Sequence, residues 1–119
     1  MTWSDSPTLP LIETEAKEGN SVVLSLQIPK DLFQFEGHFP DMPVLPGVAQ
    51  LDWAAQFTES HLGVKEGIGE VTQLKFRALI TPEIALELHL EHQPQKNRVR
   101  FEFKDQKAVY SSGFLKLIG

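Results

Sequence analysis

The sequence predicts an α+β fold in which one long central helix packs against an antiparallel sheet of five or six strands. Three observations carry that expectation. Residues 21–29 and several stretches after residue 70 alternate apolar and polar side chains with period two, the pattern of half-buried strands. Residues 46–63 hold the one convincing helical pattern. The length, 119 residues, suffices for one modest core, so residues 1–119 are expected to form a single domain.

Taken in order, residues 9–15 form a weaker strand candidate, and Gly19-Asn20 offers a turn into the next strand, which predicts a hairpin. In residues 21–29, Val22, Leu24, Leu26 and Ile28 share one face, and Pro29 closes the run. Pro46-Gly47 opens the helix and Gly63 ends it. Its residues Val48, Ala49, Leu51, Trp53, Ala54, Ala55 and Phe57 are apolar on nearly all sides, which predicts a buried helix. Strands follow over residues 71–80, 84–91, 98–103 and 108–118, separated by Thr81-Pro82, a turn at 93–97 and a tight turn at Asp105-Gln106. Four consecutive strands at this spacing predict an antiparallel meander.

Composition excludes several classes of function. The chain has no cysteine, which removes disulfides, Cys-based zinc sites and thiol nucleophiles. Its net charge of −5 argues against nucleic-acid binding. No apolar run approaches the ~18 residues of a membrane span, and the N-terminus lacks the pattern of a signal peptide, so a soluble cytoplasmic protein is expected. Charge is uneven along the chain. Residues 1–60 hold two bases and nine acids, whereas residues 61–119 hold nine bases and seven acids. Lys75, Arg77, Arg98 and Arg100 belong to that basic minority, which is either a solvated strand face or a patch for an acidic partner. His89 and His92, beside Glu87 and Glu91, read as an ordinary strand face, and no metal is expected.

Asp52 is the anomaly. It sits mid-helix among apolar residues, where an unpaired buried charge costs several kcal/mol. Either Gln56, one turn on, hydrogen-bonds the carboxyl, or Asp52 points out to solvent. The segment before the helix has prolines at 40, 43 and 46, which stiffen the chain around His38, the only imidazole before residue 60. That segment runs into the helix N-terminus at Gly47, where unpaired N–H groups can polarise a carbonyl. A base, a carboxyl acid and an N–H donor are the parts needed for proton abstraction next to a carbonyl.

Gly37-His38-Phe39-Pro40, then Pro43-Val44-Leu45-Pro46-Gly47-Val48, with an acid 14 residues after the His and a Gln four later, resembles the signature of the β-hydroxyacyl-acyl-carrier-protein dehydratases. These are hot-dog-fold enzymes of fatty-acid synthesis. The run from Val44 to Trp53 looks most like the dehydratases of aryl-polyene and related polyketide-like clusters. The resemblance implies roles for particular residues. His38 would take the C2 proton of a (3R)-hydroxyacyl thioester, and Asp52 would help the C3 hydroxyl leave as water, giving the trans-2-enoyl thioester. The Gly47 N–H would bind the thioester carbonyl, the Val44 carbonyl would hold the His38 ring, and Gln56 would orient Asp52. Phe33, Phe39, Leu51 and Phe76 would line the acyl tunnel, with core packing the alternative for Leu51.

The resemblance further implies a homodimer whose sites lie at the interface, His38 of one protomer facing Asp52 of its partner, with higher oligomers or a heterodimer left open. Acyl carrier protein would be the partner, contacted by Lys75, Arg77, Arg98 or Arg100. No cofactor is implied beyond the phosphopantetheine that carries the substrate. Two alternatives stay open: a hot-dog acyl thioesterase, and a catalytically silent subunit that binds the acyl carrier.

Overall fold

The structure is a computed structural model that describes residues 8–31 and 44–118. Its elements are β1 (Leu11–Glu18), β2 (Ser21–Gln27), α1 (Gly47–Leu62), β3 (Ile68–Phe76), β4 (Ala85–Gln93), β5 (Arg98–Lys104) and β6 (Val109–Leu117). The strands form one sheet in the order β1-β2-β4-β5-β6-β3, every neighbouring pair antiparallel. The expected helix over six strands is therefore present. So is the first hairpin, turned at Gly19 with φ 58°, a backbone conformation that glycine adopts without steric cost.

Two parts of the expected architecture need correction, the strands after residue 70 and the helix. The last four strands do not form one meander. β4, β5 and β6 do, but β3 lies at the sheet edge beside β6, and β4 pairs with β2 instead. The reason lies in apolar register. Val22, Leu24 and Leu26 of β2 stand opposite Leu90, Leu88 and Leu86 of β4, so the pairing merges two apolar rows into one face. The strand expected over residues 71–80 also begins earlier, at Ile68, and ends at Phe76, although the Arg77 N–H still donates to the Tyr110 carbonyl at 2.8 Å.

The second correction concerns α1. One side of it is core: Ala49, Trp53, Ala54 and Phe57 join one buried apolar cluster with Leu24, Leu88, Phe101 and Phe103. Trp53 is fully buried, and its Nε1–H donates to the Thr8 carbonyl at 3.0 Å, which satisfies the one polar atom of the side chain. The other side is open, because Val48, Asp52, Gln56 and Ser60, each four residues apart, all face solvent. Val48 is 75 % exposed, although its apolarity predicted burial. The helix ends where expected, with Gly63 at φ 73° and its N–H bonded to the Thr58 carbonyl.

The β5–β6 turn is fixed by one carboxylate. Asp105 accepts hydrogen bonds from the N–H groups of Lys107 and Ala108, at 2.7 and 2.9 Å, and from the Tyr110 hydroxyl at 2.5 Å. The Tyr110 bond, followed by that from the Lys107 N–H, holds the Asp105 pKa below its ordinary value. The same bond to the carboxylate pushes the Tyr110 hydroxyl up.

Candidate active site

The N-terminus of α1 organises the site. Pro46 is extended, with ψ 149°, and its carbonyl accepts the first helical bonds, from the N–H groups of Ala49 and Gln50. The N–H groups of Gly47 and Val48 precede those bonded donors and therefore belong to the positive end of the helix dipole. The Phe76 ring lies against Gly47 so closely that a Cβ there would sit 2.6 Å from its ζ carbon. Glycine is thus what allows an aromatic ring to reach the helix N-terminus. Phe76 remains half exposed, as does the neighbouring apolar surface at Leu79.

Asp52 lies on the open side of α1, and Gln56 Nε2 donates to its Oδ2 at 2.7 Å. Both sequence readings of the anomaly therefore hold at once in the single chain: the carboxylate is exposed and it is tethered by Gln56. An amide donor one turn away constrains the direction of one carboxylate oxygen and does not engage the other. A groove of about 270 Å3 begins at Gln56 and continues along Ala55, Thr58, Val64 and Ile68. A larger cleft of about 690 Å3, bordered by Glu87, Asp105 and Tyr110, includes no residue of α1 and so stands apart from Asp52.

The remaining candidates separate into groups. Val44 is half buried just before the helix, and Leu51 is half buried against the core. His38, Phe33 and Phe39 lie outside the described residues. Lys75 and Arg77 are exposed near the end of β3. Arg98 and Arg100 alternate with the buried Val99 and Phe101, so they occupy the sheet face turned away from α1. There the Arg98 guanidinium stacks 3.8 Å over Phe114 and donates to Gln93, while Arg100 pairs with Glu102 at 3.3 Å. Within one chain the structure does not bring these two arginines to Asp52. His89 contacts Glu87 at 2.9 Å on the same outer face. His61, which the sequence places at the helix end, also meets Glu15 of β1 at 3.1 Å.

Sequence reasoning missed two polar residues beneath the site. Gln50 and Ser111 are both buried and hydrogen-bonded to each other at 2.7 Å. A polar residue on the apolar side of the helix was the available signal for Gln50. Nothing local marks its partner, 61 residues away.

A family model described as ApeI dehydratase, ApeI-like, matches residues 14–114. The chain belongs to the ApeI-like dehydratase family. The dehydratase class, a hydro-lyase, comes with that membership. This ApeI-like chain is 31 % identical to the 3-hydroxyacyl-acyl-carrier-protein dehydratase FabZ of Lactobacillus helveticus over 114 residues, covering 87 % of this chain and 77 % of the relative. It is 29 % identical to the FabZ of Lactiplantibacillus plantarum over 92 residues, which spans 71 % of this chain and 63 % of that relative. Among solved structures, the dehydratase heterocomplex ApeI:P from Xenorhabdus doucetiae matches with a TM-score of 0.86 and 27 % identity, covering 93 % of this chain and 99 % of that one. An uncharacterised protein from Erwinia carotovora subsp. atroseptica matches at TM-score 0.80 and 33 % identity, covering 92 % and 96 %. The helix and six-stranded antiparallel sheet of the ApeI-like chain are the hot-dog fold of these neighbours.

Proposed function

We infer that the chain eliminates water from a (3R)-hydroxyacyl thioester carried on the phosphopantetheine of an acyl carrier protein. The observation that carries this reading is the Gln56-tethered carboxylate of Asp52, five residues into a helix whose free N–H end begins at Gly47. The imidazole of His38 takes a proton from C2. Negative charge moves onto the thioester oxygen, where the Gly47 N–H and the helix dipole stabilise it. Asp52 in its acid form donates a proton to the C3 hydroxyl, which leaves as water while the C2–C3 double bond forms. Transfer of the proton from His38 back to Asp52 resets the pair. The elimination involves no net oxidation or reduction, so imidazole, carboxyl and N–H donor suffice, and the pantetheine arm belongs to the substrate.

The open face of α1 supports a dimeric unit. Val48, Asp52 and the half-exposed Phe76 face solvent in a single chain, whereas this chemistry benefits from exclusion of bulk water. A second copy laid over that face would supply the cover and place its His38 opposite Asp52. The Xenorhabdus neighbour is a dehydratase heterocomplex, which supports a related chain as the alternative cover. Exposed Lys75 and Arg77, near Phe76, are the cations best placed to meet an acidic carrier protein. A carrier-borne substrate places the enzyme in the cytoplasm.

The test is to incubate the purified protein with 3-hydroxyacyl carrier proteins of several chain lengths and follow the intact mass. Loss of one water supports the reading. Release of free acid with the carrier returned unloaded would replace it with a thioesterase.

A further inference from the structure

Gln50 is 3 % exposed and lies on the core side of α1, where an apolar residue would pack without any polar demand. Both ends of its amide are used. Oε1 accepts from the Ser111 hydroxyl of β6 at 2.7 Å, and Nε2 donates to the Leu45 carbonyl at 3.3 Å. Ser111 is itself fully buried, so its hydroxyl depends on this acceptor. The chain of bonds runs from β6, next to the edge strand β3, through the helix to the backbone just before Gly47.

Leu45 is held from its other side as well. Its N–H donates to the Ile80 carbonyl at 2.8 Å. A peptide unit is planar and trans, so that bond aims the carbonyl of the same unit, that of Val44, in the opposite direction. The Gln50 bond likewise fixes the next unit, which leads through Pro46 to the Gly47 N–H. Two successive peptides, one presenting the Val44 carbonyl and the other preceding Gly47, therefore have their orientations set by Ile80 and by Gln50.

Resting on the dehydratase reading above, we propose that Gln50, supported by Ser111, is a positioning residue that holds the Val44–Gly47 backbone in the geometry the reaction requires. It touches no reacting atom. Its effect is on where the Gly47 donor and the Val44 acceptor stand, and misplacement by about 1 Å can cost on the order of 100-fold in rate.

A paired substitution separates this role from simple packing. Gln50→Leu alone strands the Ser111 hydroxyl, so it is expected to lower both stability and turnover. Gln50→Leu with Ser111→Ala relieves the stranded hydroxyl and leaves only the Leu45 carbonyl without its side-chain donor, so the melting temperature is expected to recover in part from that of Gln50→Leu alone. The double variant should nevertheless keep kcat at least about tenfold low with KM little changed, because the Leu45 carbonyl has lost its anchor. Amide hydrogen exchange should also quicken over residues 45–49 and stay slow in β5. A double variant with full kcat would overturn the proposal, as would unchanged exchange over residues 45–49. If the unaltered protein removes no water from any substrate, the dehydratase reading fails, and exchange alone then decides whether Gln50 anchors this backbone.

Discussion

Gln56 Nε2 lies 2.7 Å from Asp52 Oδ2, one helical turn away on a face of α1 that the described residues leave open. An exposed i, i+4 amide–carboxylate bond contributes only about 0.2–0.5 kcal/mol to a helix. Stability alone therefore gives little reason for an aspartate here, and the pair is better understood through the direction it gives the carboxylate. Asp52→Ala is expected to leave the unfolding free energy within about 0.5 kcal/mol of the unaltered protein. Turnover should fall by about 100-fold or more, the range for loss of a general acid. Gln56→Ala should lower kcat by less, since the carboxyl remains. Denaturant titration alongside the dehydration assay checks all three.

At the helix N-terminus, Gly47 and Phe76 compete for the same space. A Cβ at position 47 would meet the ζ carbon of the ring at 2.6 Å, and that carbon is the far end of a half-exposed side chain. The ring can swing away, so Gly47→Ala is expected to cost about 1 kcal/mol or less, well below a core overpacking penalty. On the proposed reading Phe76 lines the acyl path, so displacing the ring should raise KM for the acyl carrier substrate. Adding Phe76→Leu to Gly47→Ala should relieve the clash and recover part of that loss. Steady-state kinetics of the two variants beside their melting temperatures decide the point.

Asp105 and Tyr110 give the fold a defined response to pH. The hydrogen bond from Tyr110 and then that from the Lys107 N–H lower the Asp105 pKa from its ordinary 3.8. Unfolding restores the ordinary value, so the native state binds fewer protons in acid, and stability present above about pH 4 is lost as pH falls through the lowered folded value. Tyr110 is raised above its ordinary 10.0 by the same bond, so its contribution is complete below pH 10 and fades as pH rises through the folded value. Tyr110→Phe should therefore lower the melting temperature at neutral pH, with the difference shrinking in strong acid and in strong base. Melting curves from pH 2 to 12 would show it, and a difference that is constant with pH would contradict it.

Much of this fold was legible because its cues are local. Period-two alternation in residues 21–29 needs only neighbours, and Pro46 and Gly63 mark the helix ends through their own backbone preferences. The place of β3 beside β6 was not, because strand neighbours depend on which apolar rows merge across distant segments. Val48 shows a second limit. Apolarity records that a side chain avoids water, not whether its own chain or another supplies the cover, and among the described residues nothing covers Val48. In the site, Asp52 and Gln56 could be paired from helical spacing alone. The Ser111–Gln50–Leu45 connection could not, since it joins residues with no periodic relation.

Whether two chains share each site can be read from mixtures. If His38 of one protomer serves Asp52 of its partner, then His38→Ala and Asp52→Ala homodimers are both inactive, each lacking one group at every site. A mixed dimer holds one site with both groups removed and one with both intact. Random reassortment makes half of the dimers mixed, so an equal mixture should recover about a quarter of the unaltered activity, as two-fold symmetry requires. A site built within one chain would leave every site in the mixed dimer lacking one group, and no activity would return. The exposure of Asp52 on an open helix face makes the first outcome the expected one. Co-refolding the two variants at equal concentration, followed by the dehydration assay, distinguishes them.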